Sequence, residues 1–497
     1  MKQYLLGIDN GGTVIKCAVY DLSGRELAVK TERVPLIEPY PGWVERDLDL
    51  VWEANAQAIR GAIEKAGITQ AEILAIGLTG YGNGVCLVDK NGRPVYNAVV
   101  SSDNRASALC QRLVDAGVQE AIYPLTCQEF WPAQTAILLK WFDEQMPDVL
   151  ARTDRVLSIK DFVRMKLTGR CCYELTETTC NGLMNIHTQA FDPSIFASLG
   201  ISGCMEKMPA YTGITDISGR VTGNAAAETG LAAGTPVAGS CYDVNACALA
   251  SGILDEDTLC MIAGSWTINE YLTRTLVEHA NSIAKSYLNG YYILEESSPT
   301  STNNFEWFID HILAGKAGSD RSVIYRNCDR MVGEISPEES DLIFVPYLFA
   351  SATHPDAKGA FLNLSSFHDE RYLTRAVYEG IAFSSMLHVK RLMKDGKTFS
   401  AAKLSGGITK SGVWSQMVCD VLRMPLEISS ASEPGALGAA ICAAIAGGAY
   451  DGYETAVANM VHMKQAYLPN ERKEEIYQRK FGRYEKALKA LDVFYSE

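Results

Sequence analysis

Residues 5–21 have the sequence LLGIDNGGTVIKCAVYD. The apolar residues on both sides of Asn10-Gly11-Gly12 predict two strands joined by a tight turn, because Asn-Gly is a strong hairpin signal. The turn combines two glycine amides with the Thr13 hydroxyl, the Lys16 ammonium and the Asp9 carboxylate. Amides in such a turn can cradle phosphate oxygens, and a neighbouring carboxylate can hold magnesium through water. The alternative is an ordinary hairpin with a solvated Asp9, and the hairpin alone favours that alternative.

The composition limits the class of protein. A chain of 497 residues exceeds one hydrophobic core, so two or more domains are expected. The net charge of -14 argues against nucleic acid or an anionic membrane as a partner, since both require a basic face. Fourteen cysteines occur without a Cys-x-x-Cys pair, so a disulfide or zinc framework is not expected. No leader segment and no bilayer-length apolar stretch are recognised, which predicts a soluble, cytoplasmic protein.

The rest of the chain alternates strand and helix patterns, which predicts mixed sheets with helices on their faces. Residues 259–272, LCMIAGSWTINEYL, predict a second hairpin with glycine and hydroxyl residues at its turn, as in the first. If this similarity reflects duplication, each half carries one phosphate-binding hairpin, and the two face each other across a cleft. The Gly-, Ala- and Thr-rich stretch 214–238 is interpreted as a crossing between domains.

Several motifs, taken in order, resemble the FGGY carbohydrate kinase family. The ordered set covers the chain from about Gly7 to about Gly448 and is specific, although each motif is weak singly. Its members are Asp9-Asn10-Gly11-Gly12-Thr13, Pro41-Gly42-Trp43-Val44-Glu45, Asp103 with Arg105, Lys160-Asp161-Phe162, Asp243, Gly264-Ser265, Glu379-Gly380-Ile381-Ala382-Phe383, Ser405-Gly406-Gly407 and Glu433-Pro434-Gly435-Ala436. Within the family, the resemblance is strongest to kinases of L-xylulose, through Thr235-Pro236-Val237 with Asp243-Val244 and through Thr300-Ser301 with Asn304, Glu306 and Trp307.

The resemblance implies an α/β protein of two actin-like (RNase H-like) domains with a catalytic cleft between them. Residues 1–240 would carry the sugar site and the first phosphate hairpin, and residues 241–497 the second hairpin and the nucleotide site. The implied reaction is phosphorylation of a sugar hydroxyl, with ATP and Mg²⁺ as cofactors. A homodimer is compatible with the resemblance.

The resemblance also implies roles for particular residues. Asp243 is the general base that accepts the proton of the attacking hydroxyl, and its alternative is a plain helix N-cap. Asp9 and Asp243 are the predicted magnesium ligands. The predicted ATP contacts are Gly11, Gly12, Thr13 and Lys16 from one side, Gly264, Ser265 and Thr267 from the other, and Gly406, Gly407 and Ser411 at the nucleotide. Lys16 could equally be a solvated strand residue, and the glycines of residues 406–407 could serve only a turn that needs positive φ.

The predicted sugar contacts are Tyr81, Gly82, Asn83, Asp103, Trp131 and Asp243. Trp131 would supply an apolar wall for the sugar, although an aromatic residue is more often simply core. The chain departs here from the ketose kinases: Gln is common where Tyr81 stands, and Met-His where Gly82-Asn83 stands. These departures lie on the substrate side of the site.

The substrate prediction is a ketose of five or six carbons, with L-xylulose first. Residues 79–84 contain no basic cluster, and the nearest cation, Arg105, is close enough to Asp103 to pair with it. A sugar acid such as 3-keto-L-gulonate needs a cationic partner and comes second; D-xylulose, gluconate and glycerol are further alternatives. A catalytically silent actin-like sensor is a less favoured hypothesis, because no helix-turn-helix arm or zinc cysteine cluster is recognised.

Overall fold

The computed structural model describes residues 3–264, 266–276, 283–298, 300–313, 320–349, 356–394 and 396–496. Their internal contacts divide the chain into two compact units. Unit 1 consists of Met1–Leu254, Thr273–Ile293 and Ala431–His462, and unit 2 of Asp255–Leu272, Leu294–Ser430 and Met463–Glu497. Over the described ranges, no helix is both long and apolar enough to cross a membrane.

The strands are short, and their bounds in chain order are as follows. They are β1 Tyr4–Asn10, β2 Val14–Asp21, β3 Glu26–Arg33, β4 Glu45–Arg46, β5 Ile73–Gly80, β6 Cys86–Val88, β7 Ala98–Val99, β8 Arg155–Leu157, β9 Tyr173–Glu174, β10 Met184–Asn185, β11 Ala190–Phe191, β12 Tyr211–Thr212, β13 Ile217–Arg220, β14 Pro236–Ala238, β15 Thr258–Ala263, β16 Thr267–Thr273, β17 Ile283–Ser286, β18 Tyr292–Ser298, β19 Ile343–Val345, β20 Ala360–Leu362, β21 Ala401–Gly406, β22 Leu426–Ser429 and β23 Met463–Tyr467.

The α-helices alternate with these strands and have the following bounds. They are α1 Leu48–Ala66, α2 Ser107–Asp115, α3 Val118–Thr126, α4 Thr135–Gln145, α5 Pro147–Arg152, α6 Ile159–Thr168, α7 Leu175–Cys180, α8 Pro193–Ser198, α9 Gly223–Thr229, α10 Asp243–Ala250, α11 Thr302–Phe308, α12 Arg321–Gly333, α13 Glu370–Leu392, α14 Gly412–Leu422, α15 Pro434–Ala446, α16 Tyr453–Met460 and α17 Glu471–Tyr495.

The main sheet of unit 1 has six strands in the order β13-β14-β5-β1-β2-β3. The predicted opening hairpin is confirmed: β1 and β2 are antiparallel, with Asn10 opposite Ile15. Strand β1 is parallel to β5, and β5 is parallel to β14. The carboxyl ends of these three strands therefore lie at one edge of the sheet, where ligands commonly bind in open α/β sheets.

Alternation along β1 divides its side chains between two helical layers. Leu6 and Ile8 belong to the core that includes α1, α6 and α9. On the opposite face α15 lies directly on β1 and β5, and it also packs against α10. Glycine permits this close approach, because a Cβ at Gly7 would lie 1.9 Å from the Ala436 carbonyl oxygen.

The sheet of unit 2 repeats the strand pairing of unit 1. Six strands that lie wholly or mostly in unit 2 run in the order β18-β16-β15-β21-β22-β23. The predicted second hairpin is confirmed, since β15 and β16 are antiparallel. Strand β15 is parallel to β21, β21 is parallel to β22, and β22 is antiparallel to β23. Unit 1 has the same pattern: β1 is antiparallel to β2 and parallel to β5, β5 is parallel to β14, and β14 is antiparallel to β13. The two units therefore share one architecture.

Two features differ from the sequence analysis. The stretch 214–238, interpreted as a crossing between domains, instead supplies β13, α9 and β14 to unit 1. The contact division also differs from the boundary predicted at residue 240. It assigns α10 and α15 to unit 1, because these two helices pack on each other and α15 lies on β1 and β5.

Candidate active site

Asp9 lies at the carboxyl end of β1, opposite Thr79 of the parallel strand β5. The loop before α10 is tied to the same edge of the sheet: Ser240 Oγ accepts a 2.8 Å hydrogen bond from the Leu78 amide, and the Thr79 hydroxyl donates one of 2.8 Å to the Cys241 carbonyl. The carboxyl ends of β1, β5 and β14 and the start of α10 are thereby held together in unit 1. Buried polar groups without partners are costly, so these two bonds fix the loop firmly.

Asp243 is the first residue of α10 rather than its N-cap, which is Tyr242. One of its carboxylate oxygens accepts a 2.8 Å hydrogen bond from the Val244 amide. Desolvation by the surrounding protein raises the pKa of Asp243 to about 8, the charge of Asp9 adds to the rise, and Lys285 opposes it. A carboxylate that holds its proton this strongly is a strong proton acceptor once ionised, which suits a general base.

Asp9 is partly buried, and its Oδ1 is shielded from solvent. Burial raises its pKa to about 6, while Lys16 lowers it and Glu433 raises it. Among the described residues its Oδ1 has no hydrogen-bond partner. Its Oδ2 faces the start of α15, where a Cβ on Gly435 would come within 2.6 Å. A desolvated oxygen without a donor is an available metal ligand.

The turn between β1 and β2 is open, whereas Lys16 is not free. Gly11 and Gly12 are partly exposed and Thr13 is exposed. The Lys16 ammonium forms a 2.5 Å ion pair with Glu433. Burial acts to lower the pKa of Lys16, but the hydrogen bond and charge of Glu433 outweigh it and leave that pKa raised. Lys16 therefore already has an anionic partner, and a phosphate would have to compete with Glu433 for it.

The predicted phosphate-binding residues of the second hairpin differ in their surroundings. Gly264 lies at the end of β15, and its carbonyl oxygen accepts hydrogen bonds from the Thr302 amide and hydroxyl. The Thr267 hydroxyl is buried and lies 3.4 Å from that of Ser385, so the structure directs it into the core rather than to the turn. Ser265 lies outside the described residues.

Gly406, the last residue of β21, occupies a position that requires glycine. Gly406 has a φ of 94°, and a Cβ there would lie 2.4 Å from the Ala263 carbonyl oxygen. Both features exclude larger residues. Ser411 is the N-cap of α14: its Oγ accepts from the Trp414 amide and donates to Asp329. Gly407 follows Gly406 and begins a short helix, Gly407–Lys410, which ends just before the N-cap Ser411.

The three predicted sugar residues that follow β5 are all enclosed by other parts of unit 1. A Cβ on Gly82 would overlap the ring of Tyr242, at 1.8 Å, so Tyr242 packs directly on the glycine backbone. Tyr81 is buried, and its hydroxyl has no partner among the residues described. Asn83 adopts a φ of 62°, its amide donates to Glu177 at 2.7 Å, and its side-chain oxygen accepts from Thr135. Gly82 thus lies next to Tyr242, the residue preceding Asp243.

Asp103 and Trp131 occupy other positions. Both Asp103 oxygens are engaged: one accepts from the Val44 amide at 2.6 Å, and Arg105 binds both. Arg105 also pairs with Glu45 at 2.8 Å and lies over the Trp43 ring. Asp103 therefore has a structural partner for each oxygen. Trp131 is partly buried against a core cluster of unit 1, in keeping with the alternative weighed from the sequence.

Three functional candidates were missed by the sequence analysis. Lys285, on β17, is buried, and its ammonium lies 4.4 Å from the ring centroid of Tyr242. Glu433 is the partner of Lys16, and Glu177 holds Asn83. Glu433 occurs within a recognised motif, so a signal existed for it. Lys285 and Glu177 stand in no recognised pattern, and only the folded chain brings them to the site.

A search of the described ranges finds no cluster of three or more His, Cys, Asp or Glu side chains suited to hold a metal ion. Magnesium does not require such a cluster, because it commonly binds one or two carboxylates together with water and substrate phosphates. The unpartnered Oδ1 of Asp9 and the nearby Asp243 carboxylate fit that donor set.

Comparison with known proteins identifies the fold. Residues 4–250 match the N-terminal domain of the FGGY family of carbohydrate kinases, and residues 259–447 match its C-terminal domain. Among solved structures, the fold is similar to a xylulose kinase from Lactobacillus acidophilus (TM-score 0.91, 21% identity, 99% of both chains covered). It is also similar to a xylulose kinase from Rhodospirillum rubrum (TM-score 0.90, 25% identity, 100% of both chains).

Curated relatives match over the full length. The chain is 33% identical to the L-xylulose/3-keto-L-gulonate kinase of Escherichia coli strain K12, over 100% of this chain and 99% of the relative. It is 33% identical to a probable L-xylulose kinase of Pasteurella multocida strain Pm70, over 98% of this chain and 99% of that protein. The α/β fold of two similar domains, predicted from the motifs, is confirmed by these similarities and by the paired sheets.

Proposed function

Because the chain belongs to the FGGY family of carbohydrate kinases, we propose that it transfers a phosphoryl group from ATP to a hydroxyl of a ketose, with L-xylulose as the preferred substrate and Mg²⁺ as the metal. One observation carries the catalytic part of this proposal. Asp243 begins α10 at the sheet edge where Asp9 lies, one residue before the end of β1, and the charge of Asp9 contributes to the raised pKa of Asp243.

In the proposed reaction, the ionised Asp243 accepts the proton of the attacking sugar hydroxyl. Phosphoryl transfer needs mainly positioning and charge neutralisation, so one base with amide and cationic donors is sufficient. The amides of Gly11 and Gly12 and the hydroxyl of Thr13 would bind phosphate oxygens at the open turn. Gly264 and Ser265 of the second hairpin, and Gly406, Gly407 and Ser411, remain predicted nucleotide contacts. Thr267 is left out, because its hydroxyl is buried beside that of Ser385.

Asp9 and Asp243 would hold Mg²⁺. When bound, the ion neutralises charge on the phosphates that are being separated. Asp9 fits this role because its Oδ1 is buried without a donor, and no other role for that oxygen is apparent among the residues described. The protein's own contribution is to keep both carboxylates desolvated and oriented.

In the proposed sugar pocket, Gly82, Asn83 and Tyr81 would face the substrate together with Asp243. Asp103 takes a different part: with both oxygens bound to Arg105 and Val44, it shapes the pocket wall rather than touching the sugar. Trp131 likewise contributes packing. L-xylulose comes first because two full-length relatives at 33% identity carry that sugar in their names.

A keto sugar acid is the second candidate, and Lys285 is the observation that favours it. A carboxylate substrate needs a cation at the pocket. Lys285 lies over the ring of Tyr242, and its charge acts to lower the pKa of Asp243. The name of the Escherichia coli relative contains both L-xylulose and 3-keto-L-gulonate. These two sugars are therefore the ones to compare as substrates of this chain.

The test of the proposed function is a coupled assay of ADP release with L-xylulose, 3-keto-L-gulonate, D-xylulose, L-ribulose, D-fructose, gluconate and glycerol. We expect the largest kcat/KM for L-xylulose. A preference for glycerol or gluconate would overturn the ketose assignment and leave the kinase assignment intact. Tight ATP binding without turnover of any sugar would favour the sensor hypothesis instead.

The role of Lys285 is tested by Lys285→Met in the same assay. Loss of its charge should lower kcat/KM for 3-keto-L-gulonate by about tenfold or more relative to its effect on L-xylulose, because a charged hydrogen bond contributes about 1.5–3 kcal/mol. Equal losses for the two sugars would rule out a carboxylate contact at Lys285. Lys90→Met, at an exposed turn of unit 1, is the matched control.

A further inference from the structure

Arg46 directly follows the motif Pro41-Gly42-Trp43-Val44-Glu45. The sequence assigns this motif no chemical role. It is the second residue of the short strand β4, so its side chain points to the face opposite that of Glu45. Glu45 binds Arg105, Tyr96 and Asn97. On the other face, Arg46 Nη1 donates a 3.0 Å hydrogen bond to the carbonyl oxygen of Gly11. The motif thus ends on the phosphate turn.

The Arg46 side chain is fully buried. Its Nε and Nη2 have no hydrogen-bond partner in the part of the chain that the structure describes, and no carboxylate there forms an ion pair with it. Burial lowers its pKa, against the opposing effects of Tyr81 and Cys86. A buried guanidinium without a counter-ion is strongly unfavourable, so Arg46 calls for an anion that the described residues do not provide.

The bond to Gly11 determines where the next amide points. The carbonyl of Gly11 and the N–H of Gly12 belong to one trans peptide unit and point in opposite directions. With the carbonyl directed inward to Arg46, the Gly12 N–H is directed away from it. The surroundings of Gly12 are open, because a Cβ placed there would meet no atom within 4 Å. An outward amide beside open space is suited to bind a phosphate oxygen.

We propose that Arg46 is a positioning residue for the phosphate chain of ATP: it holds the Gly11–Gly12 peptide with the Gly12 N–H outward, and its guanidinium supplies positive charge behind the turn. This inference rests on the proposed function for the identity of the nucleotide. It gives a role in nucleotide binding to a residue that lies outside the recognised motifs. The charge acts through the intervening peptide, because Arg46 itself is fully buried.

The test compares the binding of MgATP and of AMP to the full-length chain by isothermal titration calorimetry. Arg46→Met keeps a long side chain and removes both the charge and the donor. We expect it to weaken MgATP binding about tenfold to hundredfold, the effect of losing a charged hydrogen bond, and to change AMP binding little, because AMP has no β- or γ-phosphate. Arg46→Lys, which retains a charged donor, should recover most of the ratio of MgATP to AMP affinity.

A purely structural role predicts a different pattern. If Arg46→Met weakens MgATP and AMP equally, or leaves both unchanged, the inference is wrong. If Arg46→Met does not fold, Arg46→Gln is measured instead: its shorter neutral side chain leaves the Gly11 carbonyl without its charged donor, and the same selective loss is expected. Arg112→Met, at an exposed arginine paired with Glu144, is the control for loss of an arginine in unit 1.

The outcome is separable from the proposed function. If the wild-type chain binds MgATP but phosphorylates no sugar, the proposed function fails, and the affinity ratio still decides the role of Arg46. If the wild-type chain is active and the ratio is unaffected in Arg46→Met, only the role of Arg46 fails.

Discussion

At the scale of single residues, the candidate site depends on carboxylates held in low-solvent surroundings. Asp243 is desolvated, its pKa is raised to about 8, and its neighbours Asp9 and Lys285 act on it in opposite directions. The pKa of Asp9 is also raised, to about 6. Burying such carboxylates lowers the free energy of unfolding. Carboxylates with raised pKa values are typical of sites that bind a cation or transfer a proton.

The variant Asp243→Asn tests the proposed base. It should fold and bind MgATP, because an asparagine side-chain oxygen can still accept the hydrogen bond from the Val244 amide, and it should lose about 10²- to 10⁴-fold in kcat, the usual effect of removing a general base. Coupled ADP release and calorimetry measure the two properties. Near-normal turnover would exclude Asp243 as the base.

The raised pKa of Asp243 predicts a pH dependence of stability in the absence of metal. The unfolded carboxyl titrates near 3.9, whereas the folded one titrates at about 8. Between these values the folded state retains a proton that the unfolded state has lost, so the free energy of unfolding of the wild-type chain falls as pH rises. The amide introduced by Asp243→Asn does not titrate, so the Tm advantage of this variant over wild type should grow from pH 5 to pH 8 in EDTA. A constant difference across that range would contradict the raised pKa.

At the scale of elements, the site depends on how closely α10 and α15 approach each other. A Cβ at Gly438 of α15 would lie 2.0 Å from the Ala246 carbonyl oxygen of α10, and one at Gly77 of β5 would lie 1.9 Å from that of Ala439. Backbone atoms cannot move aside as side chains do. The position of Asp243, on the first turn of α10, is therefore set by glycines on its neighbours.

Gly438→Ala tests this packing. Overpacking against backbone should destabilise the chain by about 1–3 kcal/mol, lowering Tm, and should reduce kcat because α10 carries Asp243. Gly482→Ala is the matched control, since it also lies inside a helix, α17, but a Cβ there meets no atom within 4 Å. That control should keep its activity and gain about 0.5–1 kcal/mol of stability. Equal Tm values for the two variants would refute the packing argument.

At the scale of the whole molecule, two units repeat one strand arrangement, but their chain segments are interleaved. Unit 1 is completed only by Thr273–Ile293 and Ala431–His462. The second of these contains α15, which covers β1 and β5. The chain must therefore pass through most of unit 2 before unit 1 can bury its central strands.

A fragment of residues 1–254 tests this interleaving. Without α15, the face of the sheet around Leu5 and Gly7 is exposed, and exposed apolar surface of this size favours aggregation or a molten state. We expect the fragment to lack a cooperative thermal transition by circular dichroism, whereas the full chain shows one. A fragment that unfolds cooperatively near the Tm of the full chain would show that α15 is dispensable for unit 1.

The amino-acid sequence by itself determined the parts of this protein that local signals encode. The Asn-Gly turn predicted the first hairpin, the similar turn predicted the second, and Asp243 was placed at a helix start. The motif order predicted the family. These inferences succeed because turn chemistry and strand patterning act between residues that are near in the chain.

Only the tertiary structure decided which distant side chains meet at the site. The Lys16–Glu433 pair joins residues 417 positions apart, Arg46 reaches Gly11 across 35 positions, and Lys285 lies against Tyr242. It also showed that the oxygens of Asp103 and the hydroxyl of Thr267 are already engaged within the protein. No periodicity or spacing encodes such contacts, because they arise when sheet order and helix packing bring separate segments together.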